Sequence, residues 1–167
     1  AVILISLTGC DGWDDWRRES AIAAEISILG DTLATLSLPK IKSAAGGISK
    51  DYLQLAVGPQ QVALSNGAWL GHQNARGTPQ LANLTGSTIE PYLVSWQATW
   101  DNLGGIAPAL IEKIEIARRV ETEIRGQSSD GLELFIHKDL PFKKVSKLLT
   151  VLEKTQLSTF RFASDIE

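Results

Sequence analysis

Few side chains in this sequence have the type and spacing that chemistry needs. The histidines are His72 and His137, and Cys10 is the single cysteine. A metal centre needs three or four His, Cys or carboxylate ligands at short spacings, and neither histidine has an HExxH partner or a nearby acid pair. Both are read as surface residues, one in a loop and one at a strand end. Glu112, Glu115, Glu121 and Glu123 recur among Lys113, Arg118 and Arg119, which is the pattern of a solvated helix face rather than of an acid/base pair. There is no Gly-x-Ser-x-Gly, no phosphate loop and no dinucleotide fingerprint. The glycines of "GAWLG" and "LGGI" do not join a strand to a helix at the required spacing. The expectation is a protein that is not an enzyme and carries neither cofactor nor metal.

Two further groups point to contact instead. "AVILISLTGC" runs from apolar residues into Cys10, reads as the end of a secretory signal peptide, and resembles the lipobox of bacterial lipoproteins, in which the cysteine receives lipid. The alternative is a buried element with a small free thiol; a lone cysteine makes no internal disulfide in either case. With lipid at Cys10, Asp11 resembles the signal that keeps lipoproteins on the inner membrane of Gram-negative bacteria. The second group is Lys138, Lys143, Lys144 and Lys147, crowded at the start of the last helix, where cations oppose the helix dipole. They form either a binding patch for an anionic wall polymer, acidic partner or anionic lipid, or a solvated face.

The elements that must position these groups fit one domain of 167 residues. Hydrophobic residues at 44 % and charged residues at 21 % are those of an ordinary folded chain. A formal charge of −3 argues against nucleic acid as a partner. No run of 18 apolar residues exists to span a bilayer. Residues 1–10 form the signal remnant, and 11–38 a helical segment with Ile22, Ile26, Leu29 and Leu33 as its stripe. Trp13 and Trp16 are expected to pack inward, although Trp beside a lipid anchor also suits the headgroup layer. Residues 39–50, with Pro39 and "SAAGGISK", read as a linker.

Leu53, Leu55 and Val57, then Val62 and Leu64, alternate around Gly58-Pro59 as a hairpin. Residues 71–87 read as a long surface loop. Leu93, Trp96, Trp100 and Leu103 have helical spacing after Pro91. A second helix, with Pro108 in its first turn, carries Leu110, Ile114, Ala117, Val120 and Ile124. Leu132, Leu134 and Ile136 then mark a strand, Val145, Leu148, Leu149 and Leu152 a strongly amphipathic helix, and Phe160 and Phe162 a last strand. A strand, helix and strand in so few residues predict a right-handed parallel unit.

"LELFIHKDLPFKKVSKLLTVLEKTQLSTFRFA" resembles the last third of the periplasmic domain of the ExbD/TolR family. "LSLPKIKSA" is similar to that family's segment after the membrane, and "LQLAVGPQQVALSNGAWL" to its first hairpin. The family's usual Asp-Lys-Asp is His137-Lys138-Asp139 here. The Asp-bearing membrane helix of the family is replaced by a polar segment with Asp14, Asp15, Arg17 and Arg18, so motor activity is not carried over. An insertion separates the hairpin from the first family helix at about 71–105, within a domain spanning 51–167.

The resulting expectation is a two-layer α/β sandwich. A small mixed sheet of hairpin plus strand-helix-strand unit is covered by helices on one face. The function expected is that of a non-catalytic periplasmic component of an ExbD/TolR-like envelope transport or energy-transduction complex. It would be anchored at the inner membrane through lipid on Cys10, and would dock to a partner protein or peptidoglycan. Lys138, Lys143, Lys144, Lys147, Phe160 and Phe162 are the partner-binding candidates. Residues 160–163 serve as an edge strand that also pairs into a homodimer. The alternative is a free-standing lipoprotein that binds a small ligand or glycan in a cleft lined by Trp69, Trp96 and Trp100.

Overall fold

The computed structural model describes residues 10–38, 40–41, 51–84, 88–99, 103–163 and 165–166. Residues 1–9, read above as a signal remnant, and most of the expected linker lie outside them.

Five strands form an open mixed sheet in the order β4-β3-β2-β5-β6. β2 (Leu53–Val57) and β3 (Gln61–Ser65) are the expected antiparallel hairpin, closed where the Gly58 N–H donates to the Gln61 carbonyl at 2.8 Å. β5 (Gly131–Ile136) lies parallel to β2, and β6 (Thr159–Phe162) parallel to β5. Between β5 and β6 the chain crosses over through α5 (Phe142–Leu152), the strand-helix-strand unit that the apolar spacings predict. A separate short parallel pair joins β1 (Lys40–Ile41) to β7 (Asp165–Ile166).

The sheet's two faces differ because successive side chains point opposite ways. Leu53, Leu55, Val57, Val62, Leu64, Leu132 and Leu134 form one face. They pack against α5 and the long α4 (Leu103–Arg125), whose buried stripe is Leu110, Ile114, Ala117, Val120 and Ile124. Leu148 of α5 (Phe142–Leu152) is fully buried in the same layer, and Leu148→Ala is expected to cost about 2–5 kcal/mol. The opposite face carries Ala56, Ala63 and Phe135 with Leu29. Its small side chains admit α1 (Cys10–Leu33), which passes close over β3. The mixed sheet with helices packed on it is as expected, and α1 adds a layer on the second face. Residues 11–38 are therefore part of the same packed body as the hairpin.

Three readings of the middle of the chain are corrected. The stretch 71–87 is not one loop: α2 (Gly67–Ala75) and α3 (Pro79–Ala82) occupy much of it. Residues 91–99 do not form the expected helix. Glu90–Tyr92 is a single 3-10 turn, and Ser95–Thr99 is β4, antiparallel to β3. The reason lies in Asn66, which is buried between the two. Its Nδ2 donates to the Tyr92 carbonyl at 2.8 Å, and its Oδ1 accepts from the Val94 N–H at 2.9 Å. That side chain guides the chain into register beside β3, and sheet pairing overrides a helical spacing carried by only a few residues. Pro108, expected in a first turn, lies inside α4, which begins one turn earlier.

Candidate docking surface

β6 forms one edge of the sheet. In a parallel ladder, one residue directs its N–H and C=O to the neighbouring strand and the next directs both away. The Thr159 N–H donates to the Asp130 carbonyl at 3.1 Å and the Ala163 N–H to the Leu134 carbonyl at 2.8 Å, so odd-numbered residues face inward. The main-chain groups of Phe160 and Phe162 accordingly point off the edge, where an added strand would meet them. Their side chains belong to the α4/α5 face. Phe160 is half-buried against the core, and Phe162 is 55 % exposed.

β6 is fixed in place from its other face. Gln54, Glu133 and Arg161 stand side by side across β2, β5 and β6. Glu133 is fully buried. Gln54 Nε2 donates to its Oε2 at 3.2 Å, and Arg161 Nε lies 3.7 Å from its Oε1. A carboxylate so enclosed requires its partners, so the row sets the register of the edge strand. The turn before β6 is held by Arg118 of α4, which donates to Asp130 Oδ1, to Glu115 Oε2 at 3.3 Å and to Gln156 Oε1 at 3.1 Å. The hydrogen bond from Arg118 holds the Asp130 carboxyl below its ordinary range.

All four lysines are exposed. Lys138 lies in the turn after β5, while Lys143, Lys144 and Lys147 lie on the first two turns of α5. Lys144 already makes an interaction within the chain, which leaves Lys143 and Lys147, one turn apart, as the outward pair. Phe142, absent from the sequence expectation, is 82 % exposed at the start of α5. Its signal was the aromatic directly after Pro141, outside the apolar stripe at 145, 148, 149 and 152. The topology brings α5's first turn, Lys138 and the end of β6 to the carboxyl end of the parallel strands. Cys10 is the first residue of α1, far along the helix from Leu29 and its small-residue seat.

Glu121, read as a solvated charge, is instead buried and accepts from the Ser129 N–H at 2.8 Å and the Ser128 and Ser129 hydroxyls at 3.2 and 2.9 Å, closing the loop after α4. His72 lies on α2 rather than in a loop, with Nδ1 3.1 Å from Asp51 Oδ1. His137 follows β5, its N–H donating to the Val57 carbonyl at 3.0 Å. With Thr32, Thr35, Gln60 and Gln61, it lines an open hollow of about 380 Å³. Among the described residues, no three His, Cys, Asp or Glu side chains converge to hold a metal, and no helix is long and apolar enough to cross a membrane. Trp69 is wholly enclosed in the core and Trp96 is half-buried against it; Trp100 lies outside the described residues. No family model, curated protein or solved structure matches the chain.

Proposed function

We propose that the protein is a non-catalytic periplasmic component of an ExbD/TolR-like envelope complex, held at the inner membrane through lipid on Cys10. In this reading it docks to a partner protein or to peptidoglycan through the β6 edge. The observation that carries the reading is an edge strand with outward main-chain groups at Phe160 and Phe162, with a half-exposed Phe162 at its end. An extended partner segment adds to such an edge through main-chain hydrogen bonds, and neighbouring side chains supply selectivity. Lys138, Lys143 and Lys147 then offer cations to acidic groups of the partner or wall polymer. A second copy pairing through the same edge gives a homodimer of isologous symmetry.

The test is a photo-crosslinking residue placed at Phe162 in cells, with one at exposed Gln80 on α3 as control. The reading expects discrete adducts from position 162 and none from position 80. Adducts from both positions alike, or from neither, contradict it.

A further inference from the structure

The strongest feature that edge docking leaves unused is at the start of α1. Trp13 and Trp16 are each 56 % exposed, with ring centroids 5.1 Å apart, and the Arg17 guanidinium lies 5.2 Å from the centre of the Trp13 ring. Both were expected to pack inward, and the register of α1 forbids it. Arg18, Ile22, Glu25 and Leu29 form the buried stripe of the helix. At 100° per residue, Trp13 and Trp16 fall on the opposite side. Arg18 locks that orientation, donating to Asn74 Oδ1 at 2.9 Å, the Leu84 carbonyl at 2.8 Å and Asp15 Oδ1 at 2.8 Å.

The outward side continues as Ser20, Ala23, Ala24 and Ser27, all exposed, with no charge on that line between Trp16 and Asp31. Two neighbouring charges are internally engaged, Arg17 over a Trp ring and Asp15 by Arg18.

We infer that the outward face of α1 around Trp13 and Trp16 is a lipid-interface site that seats the helix end in the headgroup layer of a membrane. Tryptophan prefers that layer because its ring is apolar and its indole N–H finds water or ester partners there. A paired Trp patch on an exposed helix face matches such a surface. Asp14, Asp15 and Glu19 are nearby, while Arg18 is buried, so the patch has no surplus of cations. Zwitterionic rather than anionic lipid is therefore the ligand class. The site also complements a lipid on Cys10, the first residue of α1, which would bring this end of the helix to the membrane surface. The inference rests on the envelope reading only in requiring a membrane at hand.

The experiment uses the full chain with Cys10→Ser, so that no acyl chain contributes, and phosphatidylcholine vesicles with or without phosphatidylglycerol in a flotation assay. The parent is expected to float with pure phosphatidylcholine vesicles and to gain nothing from the anionic lipid. Trp13→Ser/Trp16→Ser is expected to weaken binding about tenfold or more, with unchanged circular dichroism, while Trp13→Tyr/Trp16→Tyr retains most of it. Absence of parental binding overturns the inference, as does equal binding by the serine variant. A parental dimer in solution that the serine variant abolishes overturns it in favour of a protein partner. Failure of Cys10 acylation in cells would count against the lipoprotein reading and leave this result standing.

Discussion

At the scale of single residues, the carboxylates of Glu25 and Asp130 have pKa values displaced in opposite senses. Burial beneath α1 raises the Glu25 pKa, against weaker hydrogen bonds from Ser95 and Ser65. A raised carboxyl favours the protonated folded state, so its stabilising effect is full below the ordinary glutamate value and is lost as pH rises through the folded value. Glu25→Gln is expected to raise the melting temperature at neutral pH, with a gain that shrinks toward pH 4, as scanning calorimetry across pH would show. Asp130 behaves conversely. Its lowered pKa contributes stability above the ordinary aspartate value, and that contribution is lost as pH falls. Because the Arg118 pair is open to solvent, Asp130→Asn is expected to cost at most about 1 kcal/mol in urea unfolding. Arg161→Leu, which strips a partner from fully buried Glu133, is expected to cost more, about 2–3 kcal/mol.

At the scale of elements, the close passage of α1 over the sheet makes the sharpest demand. A Cβ on Gly67 would lie 2.8 Å from the Ile26 backbone nitrogen and 3.0 Å from the Glu25 carbonyl carbon. Backbone cannot yield as a side-chain tip can, so Gly67→Ala is expected to destabilise by about 1–3 kcal/mol despite alanine's better helix propensity. No sequence period announces that contact. α5 was legible because Val145, Leu148, Leu149 and Leu152 repeat on one face, and β2, β3 and β5 because alternation and turn residues coincide. β4 was not legible, because Leu93, Trp96 and Trp100 fit a helix as well as alternating Trp96 and Ala98 fit a strand. The choice was made at a distance by Asn66. Glu121 was misread for a similar reason: its spacing places it among solvated glutamates, and only the fold brings Ser128 and Ser129 around it.

At the scale of the whole molecule, exposed aromatic side chains lie on elements that share one packed body: Trp13 and Trp16 on α1, Phe142 at the start of α5 and Phe162 on β6. Phe160 and Phe162 could be placed on a strand from the sequence because strand-helix-strand order puts the last strand beside β5. That it forms the edge depends on β2 and β3 extending the sheet the other way, a choice of partners that local pattern does not encode. Backbone exchange reads the edge itself. Amide hydrogen exchange at Phe160 and Phe162, with and without an envelope fraction of sacculi and membrane proteins, is predicted to show both N–H groups exchanging freely alone and strongly protected on binding. Binding that leaves these two amides exchanging as in the free protein would contradict docking through β6.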